Sequence, residues 1–314
     1  MAGPNRILLS VQGFHPQRWY DLLSASRAVT LEPDGSADPS IEYAVVWKHK
    51  PGILAALPNL KAIFSIGAGV DHILNDPDIP DVPIVRVVAD NLTQYMVEYI
   101  VWRVLDHQRQ GMLYRAQQPR KIWHEPPQPP ANEIAVGIMG FGQLGRAAAK
   151  ALLAVGFKVN GWSRTARAME GVATWHGEDG LTPFLNATDI LVVLLPLTPA
   201  THGILDYDLL GKLNRKNALG GAFLVNAGRG QLQKDADIVR ALKDGLIKEA
   251  SLDVFETEPL PPTSPLWTHP NVFVTPHAAA SSDPEHLVPL MLEQMRALER
   301  GERLANIVDR KIGY

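Results

Sequence analysis

The stretch that most constrains the fold runs from Ile134 to Gly145 and reads IAVGIMGFGQLG. A continuous apolar run, typical of a strand buried on both faces of a parallel sheet, leads into Gly140, Gly142 and Gly145. A segment rich in helix formers follows and ends at Gly156. The motif G-x-G-x-x-G between a strand and a helix indicates dinucleotide binding, because the glycines permit a tight turn, approach of a pyrophosphate and close packing of helix on strand. A glycine turn in an unrelated α/β sheet is the alternative.

The next strand, Lys158 to Trp162, ends in Ser163 and Arg164. NAD-binding chains usually place an acidic residue here to hold the ribose 2′-hydroxyl, and neither Asp nor Glu is present. Ser163 can donate a hydrogen bond, and the forked cation of Arg164 suits a phosphate. We therefore expect NADPH, with NADH binding more weakly. A solvated arginine after a surface strand is the other interpretation.

Composition narrows the class of protein. The chain has 314 residues, 46% hydrophobic and 20% charged, which is an ordinary globular profile with room for two domains. A net charge of −3 argues against nucleic acid or an anionic membrane as partner. The absence of cysteine excludes disulfides and thiol chemistry, and no metal site is expected. The apolar run near the start is too short for a signal peptide, so a cytoplasmic protein is expected.

The remaining pattern predicts two parallel sheets. Before residue 90, strands are expected at Arg6–Val11, 44–47, 60–66 and 82–88, with helices over 19–28 and 53–57. A long helix, apolar on several faces, is expected from Asn91 to about Gln117, and we interpret it as a crossing between domains and a subunit contact. From Ile134 onward six strands are expected, the later ones at 189–195, 222–226, 249–255 and 271–275. Such a set fits a doubly wound sheet with its ligand at the carboxyl ends of the strands.

Three polar residues stand at those carboxyl ends: Arg229, Glu258 and His277. Any one of them alone is more often structural than catalytic. Together they suit hydride transfer, since histidine can protonate a carbonyl oxygen and a carboxylate can orient the ring and raise the pKa of an imidazole. Arginine can bind a carboxylate and polarise the adjacent carbonyl.

With these motifs in view, the sequence resembles the D-isomer-specific 2-hydroxyacid dehydrogenases over nearly the whole chain. The segments that carry the resemblance are SIGAGVDHI, GIMGFGQLG, LLPLTPATHGIL, NAGRG, LDVFETEPLP, SPLWTHPNVFVTPH and VDRKIGY. WSRT, VVWK and the C-terminal ending point within the family to the glyoxylate/hydroxypyruvate reductase A subgroup.

The resemblance implies a role for each matching position. Arg229 would bind substrate carboxylate and carbonyl, Glu258 would pair with His277, and His277 would donate the proton. The amides of Ala68 and Gly69 would bind the substrate carboxylate, although the turn could equally be a tight turn without a ligand. Trp47 would form a pocket wall that admits only small 2-oxo acids, and a tryptophan packed in the core of the small domain is the alternative. The residues implied to lie along the cofactor are Gly140, Gly142, Gln143, Leu144, Gly145, Ser163, Arg164, Leu195, Pro196, Thr201, Ala227, Arg229, Asp253 and His277. For Asp253, expected at the nicotinamide carboxamide, a buried polar strand residue is the alternative interpretation.

The fold class predicted is α/β, with two Rossmann-like or flavodoxin-like parallel-sheet domains, the larger a doubly wound dinucleotide-binding domain. The resemblance places residues 1–95 and 284–314 in a substrate domain, with residues 96–283 inserted as the NADP-binding domain, and implies a homodimer. The activity implied is reduction of glyoxylate or hydroxypyruvate to glycolate or D-glycerate.

Three alternative functions make different demands on the sequence. A formate-oxidising relative would carry glutamine instead of Glu258. A nucleotide-sensing corepressor on the same fold is compatible with the polar set, although no extra binding tail is visible. A hydrolase is disfavoured, because the chain has neither G-x-S-x-G nor a metal-spaced histidine pair.

Overall fold

The computed structural model describes residues 6–31 and 38–314, and two compact units are distinguished. The first unit comprises Met1–Leu92 and Ser281–Tyr314, and the second comprises Thr93–Ala280. Each unit is built on its own sheet of parallel strands, which confirms the predicted fold class. In the described part of the chain, no helix combines the length and apolarity needed to cross a membrane.

The strands are β1 (Arg6–Val11), β2 (Val29–Leu31), β3 (Ile41–Trp47), β4 (Ala62–Ser65), β5 (Ile84–Val85), β6 (Ala135–Met139), β7 (Lys158–Ser163), β8 (Val172–His176), β9 (Ile190–Val193), β10 (Phe223–Asn226), β11 (Glu249–Leu252) and β12 (Val272–Val274). The α-helices are α1 (Gln17–Ser24), α2 (Asp71–Leu74), α3 (Asp90–Gln108), α4 (Gly111–Gln117), α5 (Gln143–Val155), α6 (Gly177–Asn186), α7 (Tyr207–Leu210), α8 (Asp235–Lys243) and α9 (Pro284–Glu299).

The first unit has a five-stranded sheet in the order β2-β1-β3-β4-β5, all pairs parallel. In this sheet, β2 is the strand that the sequence did not predict. It has only three residues, none of them buried, and they do not form an apolar run. The helix predicted at 53–57 is wrong, since this segment forms turns.

The C-terminal segment completes this first unit. Val308 packs in the same apolar cluster as Leu8, Ile63 and Ile84. The Arg310 guanidinium donates to the backbone carbonyls of Pro80 and Val82. The chain therefore leaves this unit at Leu92 and returns to it after Ala280.

The second unit has a seven-stranded sheet in the order β12-β11-β10-β9-β6-β7-β8, all pairs parallel. The chain reverses its direction of winding between β6 and β9, which makes that point the topological switch of a doubly wound sheet. β8 is additional to the six predicted strands. Its exposed edge position gives it no continuous apolar run.

Alternate residues of the central strands enter different apolar clusters. Leu191 and Val193 of β9 pack with α6, α7 and α8, whereas Ile190 and Val192 pack with α3 and α5. Side chains alternate between the faces of a strand, so helices cover both faces of this sheet.

The long helix predicted from Asn91 to Gln117 is wrong as a single element. It divides into α3 and α4 at Gln110, whose φ of 55° lies in the left-handed region. Within α3, Arg103 is fully buried and donates to Ser251 and Asp106, both at 2.9 Å. This helix is thereby tied to β11 by charged and polar groups as well as by apolar packing.

Candidate active site

The glycine turn after β6 has the shape that a pyrophosphate needs. Gly140 has a φ of 112°, and a Cβ there would lie 2.6 Å from the carbonyl carbon of Leu194. A Cβ on Gly145 would collide with the carbonyl oxygen of Gly140, whereas nothing lies within 4 Å of a Cβ on Gly142. Helix α5 begins next to this open space without a side-chain cap, so its first N–H groups can receive a phosphate. The residues present fit a dinucleotide.

The end of β7 carries a cation and lacks an acidic side chain. Arg164 is exposed directly after the strand. The Ser163 hydroxyl donates to the carbonyl oxygen of Thr165 at 2.8 Å, so its hydrogen is engaged within the turn. Arg164 is therefore better placed than Ser163 to recognise a 2′-phosphate.

The turn after β9 is held by its own threonine. Thr201 donates through Oγ1 to the carbonyl of Pro196 at 2.7 Å and accepts from the N–H of Thr198 at 2.8 Å. Leu195 is buried beside the glycine turn. In this structure Thr201 shapes the LPLT turn along which the cofactor was predicted to lie.

The turn that carries Arg229 follows β10. A Cβ on the next residue, Gly230, would collide with the backbone of Phe255, so the turn lies directly against the segment that leads to Glu258. Arg229 donates through Nη1 to the carbonyl of Gly228 at 2.9 Å and is half-buried. Ala227, at the start of the turn, is buried.

Glu258 and His277 are in direct contact. Nδ1 of His277 lies 2.9 Å from Oε2 of Glu258, and the N–H of Phe255 donates to Oε1 of the same carboxylate at 3.3 Å. The imidazole is 33% exposed, which leaves it accessible to a ligand. With Nδ1 engaged by the carboxylate, Nε2 is the ring atom that can exchange a proton with a ligand.

Asp253, 1% exposed at the end of β11, holds the backbone that follows His277. Its carboxylate accepts from the hydroxyl of Thr275 at 2.6 Å and from the N–H groups of Ala278 and Ala279 at 2.8 and 3.0 Å. Sequence reasoning missed Thr275. The available signal was a hydroxyl side chain two residues before the histidine, on the far side of Pro276.

The substrate-binding residues predicted in the first unit are neighbours there. Trp47, at the end of β3, packs against His72 with ring centroids 4.7 Å apart and ring planes inclined at 59°. A Cβ on Gly67 would collide with the Trp47 ring. Ser65 donates through Oγ to the carbonyl of Gly69 at 3.0 Å, and Ala68, between them, is half-buried. Trp47 is only partly buried, unlike a core tryptophan.

In unit two, then, the structure brings together Glu258, His277 and the turn of Asp253, with the Arg229 turn packed on the same loop. The glycine turn lies against the residues that follow β9. In the first unit, the structure brings together Trp47 and the turn at Gly67–Gly69.

Comparison with known proteins bears on this arrangement. Residues 101–279 match the family model described as D-isomer specific 2-hydroxyacid dehydrogenase, NAD binding domain. The chain is 44% identical to an NADPH-dependent glyoxylate/hydroxypyruvate reductase from Sinorhizobium meliloti, solved with NADP and sulfate, over 99% of this chain and 100% of that one (TM-score 0.93).

Two further solved structures are similar over the same shares of both chains, 99% and 100%. One is a D-isomer specific 2-hydroxyacid dehydrogenase from Xanthobacter autotrophicus Py2 with NADPH and MES, at 40% identity and a TM-score of 0.92. The other is a probable 2-hydroxyacid dehydrogenase from Rhizobium etli CFN 42 with NADP, HEPES and L(+)-tartaric acid, at 43% identity and a TM-score of 0.92.

Proposed function

This chain belongs to the D-isomer specific 2-hydroxyacid dehydrogenases, and from that premise we propose that it reduces small 2-oxo acids with NADPH. The substrates proposed are glyoxylate and hydroxypyruvate, and the products are glycolate and D-glycerate. The observation that carries the proposal is the 2.9 Å contact between His277 Nδ1 and Glu258 Oε2.

His277 is the proton donor in this proposal. When bound, NADPH would supply the hydride to the carbonyl carbon. As charge develops on the carbonyl oxygen, Nε2 of His277 delivers a proton to it, while Nδ1 remains hydrogen-bonded to Glu258. The carboxylate keeps the ring oriented and stabilises the imidazolium before transfer. Partial exposure of the imidazole lets solvent restore the proton after each turnover.

Arg229 binds the carboxylate of the 2-oxo acid and polarises its carbonyl. The fixed position of its turn against Phe255 supports this role, because preorganised charge costs no rearrangement during the reaction. By resemblance, the amides of Ala68 and Gly69 bind the substrate carboxylate and Trp47 limits substrate length.

The glycine turn and Arg164 are proposed to bind NADPH in preference to NADH. The open space at Gly142 and the uncapped start of α5 receive the pyrophosphate, and the exposed guanidinium receives the 2′-phosphate. The similar structures solved with NADP or NADPH support this choice of cofactor.

We also propose a homodimer formed through the second unit. Large apolar side chains are exposed on α3, α4 and the following segment, among them Trp102, Tyr114, Ile122 and the fully exposed Trp123. Exposed apolar side chains that form a continuous patch mark protein interfaces, and we propose that these side chains do so. Sedimentation of the wild type and of Trp102→Glu tests this, and a dimeric Trp102→Glu variant would argue against this surface.

The test of the activity is a panel of 2-oxo acids with NADPH and NADH, comparing wild type with His277→Gln and His286→Gln. His286 also pairs with a carboxylate, Asp283 at 2.9 Å, but on the surface of α9, so it is a matched control. We expect His277→Gln to lose about a hundred- to ten-thousandfold in kcat and the control to keep its activity. Tight NADPH binding without turnover of any 2-oxo acid would instead favour a nucleotide-sensing protein.

A further inference from the structure

A chain of hydroxyl groups runs from helix α3 to the turn that carries His277. The hydroxyl of Tyr99 lies 2.9 Å from Oγ1 of Thr275, and Oγ1 lies 2.6 Å from Oδ1 of Asp253. A carboxylate only accepts, so the single hydroxyl hydrogen of Thr275 is donated to Asp253. Tyr99 must then donate to Thr275. The direction of every hydrogen bond in the chain is thereby determined, and each bond polarises the next.

Asp253, where the chain ends, also accepts from three consecutive backbone N–H groups. Its carbonyl oxygen accepts from His277 at 2.8 Å, and its carboxylate oxygens accept from Ala278 and Ala279. The side chain itself therefore accepts three hydrogen bonds, from Thr275, Ala278 and Ala279. Asp253 thus defines the path of the backbone on both sides of the histidine.

His277 needs such support because its backbone is in the left-handed region, with a φ of 53°. A non-glycine residue persists there only when its surroundings hold it, since the conformation is costly by itself. The same φ sets the direction of the Cα–Cβ bond and so determines whether Nδ1 can reach Glu258.

We propose that Tyr99, Thr275 and Asp253 are positioning residues that hold the His277 imidazole against Glu258 with Nδ1 protonated, both in the imidazolium that donates from Nε2 and in the neutral ring left after the transfer. The proposal rests on the proposed function, in which His277 donates a proton from Nε2. It goes beyond that function by assigning the orientation of the proton donor to a tyrosine 176 residues away from Thr275 in sequence.

Thr275→Val tests the series of hydrogen bonds from Tyr99 to Asp253. It does so without altering Asp253, which is also predicted to lie along the cofactor. Valine has nearly the shape of threonine but cannot donate to Asp253 or accept from Tyr99. Thr275→Ser restores the hydroxyl. The matched control is Thr188→Val, which removes the hydroxyl of a fully buried threonine in the same unit, one that donates to the carbonyl of Phe184 at 2.8 Å.

Two measurements apply to each variant. The first is the tautomer of the His277 ring, from long-range ¹H–¹⁵N correlations in histidine-labelled protein without cofactor, assigned by comparison with His277→Gln. The second is kcat and KM for glyoxylate with saturating NADPH. A purely structural role would lower the melting temperature and leave the tautomer unchanged.

In the wild type we expect the neutral ring to be protonated at Nδ1, since this is the form left when Nε2 has given up its proton. Thr275→Val should give a mixture of tautomers and lower kcat by about tenfold or more, as small misplacements of a catalytic group do. KM should change much less. Thr275→Ser should restore both readouts, and Thr188→Val should resemble the wild type. If Thr275→Val does not fold, Tyr99→Phe is measured in the same way, with a smaller effect in the same direction because Thr275 keeps its bond to Asp253.

An unchanged tautomer and kcat in Thr275→Val or Tyr99→Phe would overturn the proposal, and so would an equal disturbance in Thr188→Val. Failure of the wild type to reduce any 2-oxo acid would refute the proposed function. The tautomer comparison would still decide whether this chain of residues orients His277.

Discussion

Gly142→Ala separates binding of the cofactor from stability of the fold. Its backbone, with φ of −84° and ψ of −153°, is in a region open to alanine, and an added Cβ would have no atom within 4 Å. The folded state should therefore accept the methyl group. The unfolded chain loses conformational freedom, so the free energy of unfolding should rise by about 0.4–1 kcal/mol or stay unchanged.

Binding of NADPH should weaken in the same variant. The methyl group occupies the space in front of the first N–H groups of α5, which a pyrophosphate must enter to be bound. A hydrogen bond to a charged group contributes about 1.5–3 kcal/mol. Loss of one such bond corresponds to binding that is about ten- to hundredfold weaker, since about 1.4 kcal/mol is a factor of ten.

The assay is a fluorescence titration with NADPH alongside a thermal melt, with Gly145→Ala as the contrasting variant. A Cβ on Gly145 collides with the carbonyl oxygen of Gly140, so this variant should lose about 1–3 kcal/mol of stability as an overpacked core does. Wild-type affinity for NADPH in a fully stable Gly142→Ala protein would refute the assignment of this turn to the pyrophosphate.

Three further predictions concern other parts of the molecule. Arg164→Ala should weaken NADPH binding and leave NADH binding nearly unchanged, and equal losses for both in titrations would contradict a 2′-phosphate contact. Trp47→Ala should raise the kcat/KM for 2-oxobutyrate relative to glyoxylate. An unaltered ratio, together with a loss of about 3–5 kcal/mol in the free energy of unfolding as for a core residue, would contradict the assignment of Trp47 to the pocket wall. The hydrogen bonds from Arg27, at 2.7 and 3.0 Å, hold the pKa of Glu299 below its usual value. The pair therefore contributes about 1 kcal/mol or less to the free energy of unfolding. This contribution is present at pH values above the ordinary carboxyl pKa and is lost as the pH falls through the lowered pKa of Glu299. Glu299→Gln should therefore melt below wild type at neutral pH, with the difference disappearing in acid.

The elements that the sequence predicted well are those whose environment is uniform along their length. The strand before Gly140 and helix α5 are bounded by glycines that the turns require, and their apolar runs match burial on both faces of a sheet. β2 and β8 were missed because they lie at sheet edges, where half-exposed residues leave no apolar run to detect. The break at Gln110 was missed because its left-handed turn is made by a residue other than glycine.

The candidate site likewise has residues that the sequence predicted and residues that it did not. Arg229, Glu258 and His277 each follow a strand, and the parallel sheet makes the order of strand ends a guide to which side chains are neighbours. Tyr99 gave no such signal, since its partner Thr275 is distant in sequence and the contact depends on how α3 packs on the sheet. Spacing along the chain carries no information about that packing.

The two separate segments of the first unit set the order in which the protein can be completed during synthesis. The second unit is one continuous segment, Thr93–Ala280. Its hydrophobic core can therefore form as soon as this segment has been synthesised, while translation of the remaining residues continues. The first unit is begun earlier but must wait for Val308 and Arg310, which fill its apolar cluster and bind the carbonyls before β5. Its earlier segment therefore lacks these contacts until residues 308 and 310 have been made, so the core of the first unit can be completed only after the second unit has been synthesised.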